Sequence, residues 1–95
     1  MVPFWKSVVM LVTIEVAEPD GGEVNHLLKA HLPNHKHFSL SYTGKEPLGK
    51  EGETIRVRLE GVECDDGFGV TEHPTLGPMG YDAWICNVDK AKRLP

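Results

Sequence analysis

Residues 53–68, Glu-Thr-Ile-Arg-Val-Arg-Leu-Glu-Gly-Val-Glu-Cys-Asp-Asp-Gly-Phe, constrain this chain more than any other stretch. Ile55, Val57 and Leu59 alternate with Thr54, Arg56, Arg58 and Glu60, the period of a strand with one buried face. At Gly61 the alternation changes phase, and Val62 and Cys64 carry it on. A regular strand keeps its faces, so the change predicts an extra residue, a β-bulge, at Gly61. Asp65-Asp66-Gly67 then predicts a three-residue hairpin loop, with Gly67 left-handed and Phe68, Val70 and Thr71 on the returning strand. On that reading Cys64 faces Phe68, Val62 faces Val70, and the bent strand curls a small sheet.

The rest of the chain falls around this hairpin. Val8, Met10, Val12, Ile14 and Val16 share one face of a first strand over residues 7–17. Glu18-Pro19-Asp20-Gly21-Gly22 ends it, and Asp20 with Glu23 has the spacing of a capping box. Val24, Leu27, Leu28 and Leu32 recur at helical spacing and Pro33 stops the run, so a short helix is expected over residues 22–32. Phe38, Leu40 and Tyr42 alternate with His37, Ser39, Ser41 and Thr43 in the next strand, and residues 44–52 form a polar loop. Residues 72–80, rich in Gly and Pro, predict a surface loop. Trp84, Cys86 and Val88 mark a last strand over 83–88, followed by a basic tail with Lys90, Lys92 and Arg93.

Ninety-five residues make one domain, spanning 1–95. The net charge of −4 disfavours a protein that coats nucleic acid, because phosphate binding needs an excess of Lys and Arg. The longest apolar run, residues 8–14, is far short of a membrane span and continues as a strand, so no membrane segment or signal peptide is expected. Two cysteines, Cys64 and Cys86, are fewer than a secreted mini-protein carries. They are expected as free, buried thiols in a cytoplasmic protein.

Three clusters bear on function. His35 and His37 lie two apart, and His31 is near, a spacing that can offer imidazoles to one metal; the neighbouring Ser39, Ser41 and Thr43 favour plain solvated surface. Arg56 and Arg58 share an outward face, and Lys90, Lys92 and Arg93 join them if the last strand lies alongside, with Glu53, Glu60 and Glu63 diluting the patch. The loop 73–82 carries His73, Tyr81 and Asp82 between Phe68 and Trp84. Its two prolines stiffen it, and its bracketing strand ends should bring His73 and Tyr81 together. No nucleophile with a paired base is visible, and no pattern asks for a cofactor.

The expected architecture is therefore α+β: a five-stranded, mainly antiparallel, curled sheet in a half-open barrel, with one short helix after the first strand. Residues 49–57 also resemble the lead into a strand of small OB-like barrels, which makes such a barrel the alternative. That arrangement places its helix between the third and fourth strands, whereas the helix expected here follows the first. The expected function is a non-enzymatic binding module, with a homo-oligomer as one expected working form. It would contact a small molecule or a protein through His73, Tyr81, Asp82, Trp84 and Phe68. An OB-like nucleic-acid-binding domain and a small metal-dependent or hydrolytic enzyme are the alternatives.

Overall fold

A computed structural model describes residues 4–31 and 37–95, with the backbone alone described at His31, Tyr81 and residues 70–73. Five strands occur: β1 (Phe4–Asp20), β2 (Glu23–His31), β3 (His37–Gly44), β4 (Thr54–His73) and β5 (Gly77–Arg93). They close into a barrel in the order β1-β2-β3-β5-β4. All ladders are antiparallel except β3 with β5, which pairs parallel from His37–Ala83 to Ser41–Asn87. A five-stranded Greek-key barrel of this kind is the OB arrangement, so the small-barrel alternative fits and the α+β expectation does not. Among the described residues no helix is long and apolar enough to cross a membrane, which leaves strand-built membrane barrels unaddressed.

The expected helix over residues 22–32 is strand β2 as far as it is described. Asp20 pairs with Glu23 across Gly21 and Gly22, whose φ values of 59° and 88° make a type I′ hairpin turn. Tight hairpin closure therefore takes the place of a helix cap. Within β2 the inward residues are Val24, His26, Leu28 and Ala30, a strict alternation. A histidine can sit inward there because both ring nitrogens are engaged. Nδ1 donates to the Tyr42 carbonyl (3.2 Å) and Nε2 accepts from the Leu48 backbone N–H (3.1 Å).

The hairpin expected at Asp65-Asp66-Gly67 does not form. β4 runs straight through those residues, which pair with Ile85, Trp84 and Ala83. Cys64 faces Cys86 instead of Phe68, and Val62 faces Val88 instead of Val70. The return comes at 74–76, so the expected surface loop over 72–80 is mostly ladder and the basic tail belongs to β5. The phase change at Gly61 is real: Leu59 and Val62 both point inward. Yet neither ladder of β4 slips, because β1 switches face between Trp5 and Val8 and β5 between Val88 and Ala91 at the same level. The register shift in the sheet lies in β1, between Ile14 and Val16.

The core gathers Val12, Ile14, Leu28, Phe38, Leu40, Ile55, Val57, Leu59 and Val62, with Trp5 and Trp84 against Phe38 at 5.5 and 4.8 Å between ring centroids. Cys64 and Cys86 are not free. They form a disulfide within this core, which overturns the free-thiol expectation. Opposed inward positions on neighbouring strands place the two sulfurs together.

Two outcomes follow. Denatured, unreduced protein should show no titratable thiol, and the double variant Cys64→Ala with Cys86→Ala should lose about 2–4 kcal/mol in urea unfolding. One thiol per cysteine in the denatured, unreduced protein would refute the bond. Gly61 has φ 62°, and a Cβ there would lie 2.8 Å from Asp89 Cβ. Gly61→Val should therefore cost about 1–3 kcal/mol, read as a lower urea midpoint.

Candidate functional site

Two surfaces stand out, at opposite ends of β4. The first is an arm. The described pairing of β1 with β4 ends at Phe4–Glu63, and that of β3 with β5 starts only at Ala83. Between these points the described residues give β4 and β5 no partner strand but each other, in one register out to His73–Gly77. The result is a two-stranded ribbon projecting from the barrel. The protein measures 40 Å along its longest axis against 29 and 25 Å across, with a radius of gyration of 13.7 Å. A compact chain of this length would have about 12 Å.

Of the five residues expected at the site, Phe68, His73, Tyr81 and Asp82 lie on this arm, and Trp84 lies at its root, paired with Phe38 of β3. Phe68 is the cross-strand partner of Asp82, and Asp66 that of Trp84, so these four share one ribbon face. The Trp84 indole N–H donates to Asp66 Oδ1 at 3.2 Å. Phe68 is 69% exposed, its ring lying over Gly80, where an added Cβ would collide with it. On the opposite face Ile85 lies over Gly67 in the same way. His73 and Tyr81 are not brought together by the backbone. His73 pairs with Gly77 and Tyr81 with Gly69, four rungs apart, about 13 Å along the ribbon. Phe68, Leu76 and Met79 are the exposed large apolar residues described on the arm, and Ile85 is exposed just inside the barrel, where it pairs with Ser39.

The second surface is the outer side of β1, β4 and β5 on the barrel. Register lines up Val9, Arg58 and Lys92 in one row and Ser7, Glu60 and Lys90 in another, with Leu11 opposite Arg56. The last strand does lie beside β4, so the basic patch forms. All four cations are exposed, as are Val9 and Leu11. Among the described residues the ion pairs are Lys29–Glu15 and Arg93–Glu53, and neither involves Arg56, Arg58, Lys90 or Lys92. Tyr42, Arg58, Glu60, Lys90, Ala91 and Lys92 line a depression of about 370 Å³ beside this surface. Tyr42 was hidden from sequence reasoning because only the loss of β3–β5 pairing after Ser41 opens that groove.

Arg93 does not belong to the patch. Its guanidinium holds Glu53 Oε2 at 2.7 Å and reaches the Leu48 carbonyl at 3.3 Å. Glu53 Oε1 accepts from the Lys50 N–H (3.0 Å), and the Glu53 carbonyl accepts from the Ile14 N–H (2.9 Å). Together with His26 and Leu48, these bonds fasten the loop 45–53 across one end of the barrel.

Among the described residues no three His, Cys, Asp or Glu side chains gather to hold a metal ion. His35 and the His31 side chain lie outside what is described, and His37 sits half-buried on β3. The chain matches no protein-family profile, no curated protein and no solved structure.

The Lys50 backbone N–H, and after it the Arg93 guanidinium, hold the Glu53 carboxyl below its ordinary value of 4.5. The folded form then binds a proton less readily than the unfolded chain. Its contribution to stability is complete above the ordinary value and is lost as pH falls through the lower, folded one. Urea midpoints measured as pH falls from 4.5 should therefore drop more steeply for the natural chain than for Glu53→Gln. Parallel curves for the two would mean that the staple carries no charge-dependent stability.

Proposed function

We propose that this protein is a non-enzymatic binding module whose β4–β5 arm seats on a protein partner. The observation that carries this reading is the exposure of Phe68 and Met79 on a ribbon that, among the described residues, no third strand pairs with. Large apolar side chains on a projecting element are costly in water unless something covers them. Small molecules are held in concave sites that bury most of their surface. A two-faced ribbon is convex, which favours a macromolecule over a small ligand. Phe68 is the anchor: an aromatic ring backed by Gly80 and flanked by Asp82, able to enter an apolar pocket with a charge beside it.

The OB arrangement brings the nucleic-acid reading closer, since the departure that set the chain apart was a helix that is not there. Its usual ligand face, strands β2 and β3, offers Asn25, Leu27, Lys29, Ser39, Ser41 and Thr43 outward. His37, on the same side of β3, is the one ring among the described residues of that face on which a base could stack. Residues 65–85 contain Asp65, Asp66, Glu72 and Asp82 and neither Lys nor Arg, so the arm repels a phosphate backbone. The cytoplasmic setting was expected from the small number of cysteines and the strand-like reading of residues 8–14, and the Cys64–Cys86 bond replaces only the free thiols expected with it.

The test uses an arm variant, Phe68→Ser with Met79→Ser. Both positions are exposed, so the melting temperature should stay within a few degrees, where about 1 kcal/mol corresponds to roughly 4–8 °C. Bound proteins recovered on the immobilised natural chain, quantified by mass spectrometry, should include a set missing from the variant. Equal recovery on both would sink the arm as a binding element.

A further inference from the structure

We propose that the partner of the arm is a second copy of this chain, and that the arm docks on the β1–β4–β5 face of its neighbour, head to tail. This rests on the arm being the binding element. The two surfaces are complementary in charge and in pattern. On the arm, an apolar residue and a carboxylate, Phe68 and Asp82, are cross-strand partners. On the face, an apolar residue and a cation are cross-strand partners: Val9 with Arg58, and Leu11 with Arg56. Neighbouring strands have the same spacing in both, about 4.8 Å. A ribbon laid on the face can thus set ring against aliphatic and carboxylate against guanidinium in one row.

The charges on both sides are uncommitted. Arg56, Arg58, Lys90 and Lys92 take part in neither ion pair of the described residues, and Glu60 is the one acid within their rows. Asp65 and Asp82 are exposed and likewise outside those pairs. Each copy is therefore acidic at the arm and basic on the barrel, an arrangement the net charge of −4 conceals. Leu11, 65% exposed, and Val9, 41% exposed, give the face an apolar centre of its own.

The arm cannot satisfy its own face. Phe68 and Arg58 lie on one strand ten residues apart, which places them roughly 33 Å from each other along a rigid ladder. A second copy can supply the contact that the chain's own arm cannot. Because arm and face are different surfaces, the contact is heterologous and each docked copy still presents a free arm and a free face. Rings or open chains follow, according to whether the rotation closes.

Sedimentation velocity over a concentration series tests this with three proteins. The natural chain should gain mass with concentration at about 20 mM salt and lose that gain at about 500 mM, where a contact between charged surfaces is screened. The face variant, Arg58→Glu with Lys92→Glu, and the arm variant, Phe68→Ser with Asp82→Asn, should each remain monomeric while circular dichroism shows both folded. Mixed in equal amounts, they retain one intact arm and one intact face between them, and should form pairs that grow no further. A natural chain that stays monomeric overturns the proposal, as does a face variant that self-associates like the natural chain. Salt-sensitive capture of a single-stranded oligonucleotide by a monomeric natural chain, lost in the face variant, would assign the face to nucleic acid and overturn it too. The arm reading survives any of these if Phe68→Ser with Met79→Ser still loses its captured proteins, so the two failures are told apart.

Discussion

The parallel pairing of β3 with β5 is the constraint on which the rest of this structure depends. It is short, from His37–Ala83 to Ser41–Asn87, and it joins strands that are far apart in sequence. Without it the five strands would be an open sheet with β3 and β5 as bare edges, each offering unpaired backbone to any neighbour. With it, Phe38 and Leu40 from one strand and Cys86 and Val88 from the other face the same closed interior. The closure is partial along the strands. Where β3 stops pairing after Ser41, β5 continues alone on that side, and the groove beside Tyr42 opens there.

The same ladder organises the exterior. Because β5 pairs with β4 throughout its length in one register, the cations of residues 90–92 are forced beside Arg56 and Arg58 at one end. At the other end the two strands outrun every neighbour and become the arm. The Cys64–Cys86 bond sits close to where ribbon and barrel meet, fixing the rung from which the arm projects. An acidic, apolar projection and a basic, apolar face are thus consequences of one long hairpin, not of two separate motifs.

Much of the fold was legible in local patterns. The alternation of Ile55, Val57 and Leu59, its change of phase at Gly61, and the inward set Phe38, Leu40 and Tyr42 all stand as the period of two demands. The helix over 22–32 was misjudged because Val24 and Leu28, four apart, satisfy both a period of 3.6 and a period of 2, while Leu27 turns outward in the strand. The residues that decide between them are His26 and Ala30, which are inward but weakly apolar. His26 is 4% exposed only because Tyr42 and Leu48 arrive from other parts of the chain to bond it. At Asp65-Asp66-Gly67 the turn chemistry was sound in isolation, but a ladder of partners from Ala83 to Ile85 outweighs a local preference for turning.

The sequence by itself determined where β1, β3 and the first half of β4 run with one face apolar, that Gly61 marks a switch of faces, and that a basic set exists. These are statements about residues near one another along the chain, and side-chain period and turn chemistry are enough to make them. Only the tertiary structure decided which strand lies beside which. That choice joined Cys64 to Cys86, set Arg58 in a row with Val9 and Lys92, separated His73 from Tyr81, and turned an expected loop into an arm. The reason is physical: strand pairing is satisfied by backbone hydrogen bonds that any sequence can make, so partners are chosen by how the whole set of inward faces closes around one core.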